Sequence, residues 1–218
     1  MPHVVQKRGL LQGTALAVFL ALVHLINDAV TAILGALLPT LQARFDASPM
    51  LLAAIVATYS IASSFSQPLF GAIAEERGLR HVGALGVVAA AVFLSLIGVA
   101  PALAAVFALL VIGGMGSGAL HPVGSAIVGS PGASNRTLGV GLFSAGGMIG
   151  FAIGPILLFA LIARHGVTVT PWLMLPGIAL GIAVFVLLPD WELHRRRAAR
   201  TLFDLSLLRG PVGRLAAA

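Results

Sequence analysis

The sequence predicts an all-α membrane protein with six transmembrane helices, and three observations carry that prediction. Hydrophobic residues fill 59% of the 218 positions, mean hydropathy is +1.05 and charged residues are 9%, against about 25% in an ordinary soluble domain. The few charges delimit long uncharged passages at 9–43 (broken only by Asp28), 47–74, 82–135, 137–163 and 166–189. These passages are apolar on every face, whereas strands of a membrane barrel alternate apolar and polar residues over about ten positions.

A spanning helix needs about 20 residues, because the hydrocarbon core is about 30 Å thick and each residue rises about 1.5 Å. The third passage therefore holds two spans divided near Pro101, and the predicted spans are 11–40, 47–74, 82–100, 102–129, 138–163 and 171–189. Lys7 and Arg8 precede the first apolar run, but that run far exceeds the roughly 7–15 residues of a signal-peptide core, so it reads as an uncleaved helix after a short N-terminal segment, 1–10. With the N-terminus in the cytoplasm, eleven of the thirteen basic residues lie inside and only Arg44 and Arg164 outside, which satisfies the positive-inside rule. The net charge of +6 is thereby mostly a topology signal. Juxtamembrane arginines beside anionic lipid explain the 195–200 run better than nucleic acid does. The chain has no cysteine, so neither a disulfide framework nor a thiolate metal site is possible; no metal and no cofactor is expected.

In lipid every polar group inside a span needs a reason. In the first span His24, Asn27, Asp28, Thr31 and Gly35 recur every three or four residues, along one helical face. Asp28 is the only acid inside any predicted span. A carboxylate at a helix centre costs about 2.5–3.5 kcal/mol on insertion scales, which favours a functional group over a structural carboxyl bonded to a neighbouring helix. The second span aligns Tyr59, Ser63, Ser66 and Gln67, followed by Pro68; the serines read as interhelical glue, and Gln67 serves either packing or a ligand. The fourth span reads GMGSGALHPVGS at 114–125, so Ser117, His121 and Ser125 share a face with Gly114 and Gly118. Pro122 lacks an N–H and frees a carbonyl one turn back, near Gly118. His24 and His121 stand 97 residues apart, in the first and fourth spans, where two three-helix inverted repeats would place equivalent helices. In the fifth span Gly141, Gly150 and Gly154, followed by Pro155, remove bulk so that another backbone can approach.

At these residues the sequence resembles the major facilitator superfamily, and within it the fosmidomycin-resistance family of efflux proteins. The loop GAIAEERGLR at 71–80 is similar to the superfamily pattern Gly-x-x-x-Asp-Arg-x-Gly-Arg-Arg at Gly71, Gly78 and Arg80, with Glu75 replacing the aspartate and Glu76 and Leu79 departing from it. The fifth span matches the antiporter pattern Gly-x8-Gly-x3-Gly-Pro, although Leu158 and Phe159 stand where a glycine pair is usual. The early His and Asn-Asp, Gln67-Pro68, and Gly-Ser-x-x-x-His-Pro complete the family-like combination. The fourth span lacks the arginine of many drug antiporters, with Leu110 near that position.

The resemblance covers about residues 15–190 and implies the N-terminal half of a major facilitator fold. It further implies a secondary transporter of the bacterial inner (plasma) membrane with both termini cytoplasmic, exporting a small molecule or antibiotic in exchange for protons by alternating access. In that scheme Asp28 leads the proton pathway with His24 or His121 as alternative or partner, His121 otherwise donating to a backbone carbonyl. His24, Asn27, Asp28, Thr31, Tyr59, Gln67, Ser117, His121 and Ser125 line the cavity, while Gly71, Glu75, Gly78 and Arg80 form a cytoplasmic latch. The partners are the lipid bilayer, substrate and protons, and either a missing C-terminal half or a second copy of the chain. Residues 190–218 read as a basic cytoplasmic linker, helical at 192–203, and the start of a seventh segment. An intramembrane serine protease is disfavoured, since 114–118 lacks the Gly-x-Ser-Gly spacing and the sixth span has no histidine; the chain is read as no enzyme. A non-transporting membrane scaffold is the remaining alternative. The substrate stays open, because an anion calls for a buried Arg or Lys that these spans do not contain.

Overall fold

The computed structural model describes residues 11–130 and 135–188, together with the backbone of Val4–Gln6 and Trp191–Leu193. Six helices are long and apolar enough to cross a membrane. The first span is broken into α1 (Gly13–Thr31) and α2 (Ile33–Phe45), and the second is α3 (Pro49–Arg77). The third joins α4 (Leu79–Ser95) to a 3-10 turn at Leu96–Val99, the fourth is α5 (Leu103–Val128) and the fifth α6 (Arg136–His165). A 3-10 turn at Val167–Leu173 leads into α7 (Met174–Leu187) in the sixth. Strands β1 (Val4–Gln6) and β2 (Trp191–Leu193) pair antiparallel with Val4 opposite Leu193. This corrects the helical reading at its start: Glu192 and Leu193 are extended, because the β-branched Val4 and Val5 offer them a ladder partner. The remainder of the predicted linker and seventh segment lies outside the described residues.

Local chemistry fixes the ends. The Ser48 side chain accepts from the Leu51 N–H at 3.2 Å and Pro49 opens α3, an N-cap with the pre-set φ a first helical residue needs. Asn135 caps α6 by accepting from the Leu138 N–H at 2.9 Å. Gly78, at φ +96°, is all that separates α3 from α4, a backbone angle L side chains rarely adopt. At the break in the first span the Asp28 carbonyl accepts twice. The Thr31 hydroxyl donates to the Asp28 carbonyl at 3.0 Å, and that carbonyl also accepts from the Ala32 N–H at 2.9 Å; side-chain back-bonding of this kind bends helices.

Packing follows the glycines. α1 lies most extensively against α6, α3 against α5, and α4 against both α5 and α7. Exchanging the first span with the fourth and the second with the fifth converts the α1–α6 seam into the α5–α3 seam, the relation that inverted three-helix repeats require. Two buried apolar clusters result. One gathers Leu16, Leu20 and Val23 of α1 with Leu120, Val123 and Ile127 of α5. The other gathers Ile33, Leu34 and Leu37 of α2 with Val106 and Leu110 of α5. Between them, on α1 from His24 to Thr31 and on α5 around Ser117, runs a layer of polar side chains. The outward faces are apolar: Phe65, Met148, Phe151 and Ile156 are exposed, the surface that acyl chains solvate.

Candidate functional site

The polar layer is assembled by α1, α3 and α5, with α6 as its back wall. His24, Asn27, Thr31 and Ser117 are buried, while Asp28, Tyr59 and His121 are half-buried. His24 Nδ1 lies 2.7 Å from the Phe143 carbonyl oxygen. A carbonyl only accepts, so Nδ1 carries the proton and Nε2 of a neutral ring presents a lone pair. That Nε2 is buried without an aligned hydrogen bond and faces Asp28 Oδ2 at 3.2 Å, one helical turn along the same face. The other Asp28 oxygen, Oδ1, accepts from Asn27 Nδ2 at 2.9 Å, and the same amide donates to Ser117 Oγ at 3.1 Å. The Tyr59 hydroxyl donates to Ser117 Oγ at 3.4 Å, tying the second span into the layer. The His121 ring stands edge-on to His24 with centroids 5.0 Å apart, and Phe143 stacks on the opposite side at 4.1 Å.

The geometry brings seven of the nine cavity residues read from the sequence into one neighbourhood: His24, Asn27, Asp28, Thr31, Tyr59, Ser117 and His121. Thr31 turns back to its own helix. The side chains of Gln67, half-buried, and Ser125, exposed, make no hydrogen bond among the described residues. Of the predicted latch, Glu75 is exposed, Gly71 comes close to Pro122, and the Arg80 guanidinium lies over the Phe185 ring at 4.9 Å. Pro155 is half-buried beside Gly154 on α6.

The structure adds residues that sequence reasoning did not single out. Phe143 supplies both a carbonyl acceptor and a ring to His24; backbone acceptors leave no mark in a sequence. Gly147 abuts the cluster so closely that a Cβ there would stand 2.6 Å from His24 Nε2 and 2.8 Å from Asp28 Oδ2. Gly146 joins Gly150 and Gly154, both read from the sequence as packing positions, in admitting the carbonyls of Ala21, Leu25 and Ala29 of α1. Gly141 faces away: a Cβ there meets open space, so it belongs to the exposed side of α6 and not to this seam.

Chemically, the cluster can take up a proton. Two lone pairs 3.2 Å apart repel unless a proton lies between them. With Nδ1–H committed to Phe143, Nε2 and Oδ2 are the two atoms between which a proton can pass. Gly118 sets the depth at which α3 meets α5: a Cβ there would strike the Ser63 carbonyl and the Ser66 hydroxyl. Among the described residues no lysine or arginine enters the layer, so its only formal charges come from the carboxylate and the two imidazoles.

Comparison with known proteins places these features in a wider group. The family model described as Major Facilitator Superfamily matches residues 20–212. The chain is 28% identical over 178 residues to the fosmidomycin resistance protein of Escherichia coli (strain K12), covering 82% of this chain and 44% of that protein. It is 24% identical over 178 residues to YfnC, an uncharacterized MFS-type transporter of Bacillus subtilis (strain 168), covering 82% of this chain and 43% of that one. The chain thus spans less than half the length of the curated relatives it matches.

Proposed function

The chain belongs to the major facilitator superfamily, and from that premise we propose that it works as one six-helix half of a proton-coupled exporter of small molecules. The observation that carries the reading is the His24–Asp28 pair, a proton site held at mid-span between two apolar clusters. In this scheme a proton enters the pair from outside the cell, neutralises the carboxylate and relaxes its hold on Asn27, the amide that also donates to Ser117. Loss of the proton to the cytoplasm restores the charge. The cavity is completed by a second six-helix half, or by a second copy of the chain; coverage of less than half of each relative supports the first. Glu75 and Arg80, at the α3–α4 end, serve as the cytoplasmic latch, with the membrane orientation set by the basic residues. The fosmidomycin resistance relative makes phosphonate antibiotics the first cargo to try.

The test is an efflux assay in a bacterium stripped of its own drug exporters. The chain is expressed alone and together with the part of the Escherichia coli relative that it does not match, and intracellular fosmidomycin and a panel of neutral and cationic drugs are measured. Efflux of at least one compound that collapses with a protonophore, and drops at least tenfold in Asp28→Asn at unchanged membrane abundance, is the expected result. Efflux indifferent to both treatments removes the carboxyl from the mechanism.

A further inference from the structure

We propose that His24, Asp28 and His121 form a binding site for a divalent transition-metal cation of the Zn2+ or Co2+ type. The donor atoms of these three residues all lie within 4.8 Å of one another. A tetrahedral ion with bonds of about 2.0–2.1 Å separates its ligand atoms by about 3.3 Å. His24 Nε2 and Asp28 Oδ2, at 3.2 Å, already stand at that spacing. The His121 ring comes from the facing helix, edge-on to His24, with a ring nitrogen within 4.8 Å of both other donors.

The surroundings of the donors argue further. Metal-bound histidines give their second ring N–H to a carboxylate or a backbone carbonyl, which fixes the tautomer and aims the remaining lone pair. His24 does this through Nδ1 and Phe143, leaving Nε2 buried and without a hydrogen bond. Ligating carboxylates are hydrogen-bonded in turn, and Asp28 Oδ1 accepts from Asn27 while Oδ2 faces the cluster. The carboxylate offsets part of the ion's charge, and Asp28 and His121 are half-buried, so solvent can supply a fourth ligand. Imidazole with carboxylate suits zinc, cobalt and nickel better than calcium or magnesium, which prefer all-oxygen sets. Metal and proton compete for the same lone pairs.

The inference extends the reading of this cluster as the carrier's cation site, but its test requires no transport. The full chain, carrying no histidine tag, is reconstituted in nanodiscs and titrated with Co2+ and then Zn2+. One Co2+ per chain is expected, with visible ligand-field bands that Zn2+ abolishes. Asp28→Asn and His121→Gln should each weaken binding at least tenfold with helicity unchanged, while His81→Gln and His165→Gln, which alter exposed histidines elsewhere, should bind as the parent does. X-ray absorption on the Co2+-loaded parent should show two imidazoles, a measurement that does not depend on any variant folding. Absence of binding at 100-fold excess of metal, binding that survives loss of Asp28 or His121, or fewer than two imidazoles would overturn the assignment. A failed titration leaves protonophore-sensitive efflux untouched, and failed efflux leaves a bound ion untouched.

Discussion

Around His24, what decides the chemistry is how little room its neighbours leave. Gly147 is the sharpest case, since its missing side chain is the space in which the imidazole and the carboxylate meet. Gly147→Ala should push the two apart, at about 1–3 kcal/mol of overpacking. The expected outcome is a chain that still inserts but has lost Co2+ affinity and efflux by at least tenfold; parental values in both assays would show that α6 can retreat. The sequence made His24, Asp28 and His121 legible as a group because intramembrane ionisable residues at helical spacing are rare. It gave no sign of Gly147, which is one of 26 glycines. The lack of cysteine excludes a thiolate site only; two imidazoles and a carboxylate are a donor set of another kind.

Between helices, the α1–α6 seam shows what glycine does where no hydrophobic effect drives association. Lipid tails are as apolar as leucine, so helices hold together through close packing. Gly146, Gly150 and Gly154 recur every four residues and bring α6 onto the α1 carbonyls. Gly150→Leu should therefore separate the two helices and leave little folded protein in a detergent thermal-stability assay. Gly141→Ala, on the open side, should stay within about 0.5 kcal/mol of the parent. Equal stability of the two variants would mean that the seam carries no weight. From the sequence, both positions look alike, since each is a glycine in the same apolar run. What separates them is rotation about the helix axis, and a helix that is hydrophobic all round carries no moment from which to read that rotation.

In the six-helix assembly, hydropathy alone sufficed for the number of helices, because a bilayer imposes one length on each. It could not reveal that the first span breaks at Ala32, a point marked by neither a proline nor a glycine. Nor could it place Trp191–Leu193 beside Val4–Gln6, a pairing between segments some 185 residues apart. The absence of native cysteine makes accessibility directly measurable. A single cysteine at Ser125, which is exposed, should react with a membrane-impermeant maleimide, whereas one at Leu20, 0% exposed, should not. Protection of Ser125→Cys in the chain alone would mean that this end of α5 faces lipid and not an aqueous opening.

The joint at Ala32 has a mechanical corollary. Below it, α1 is clamped to α6 by carbonyls seated over glycines; above it, α2 touches α6 far more sparingly. The two parts of the span are thus held by different neighbours: α2 buries Ile33, Leu34 and Leu37 in the cluster that holds Val106 and Leu110 of α5, so any shift of α6 against α5 loads the joint, where the Asp28 carbonyl sits.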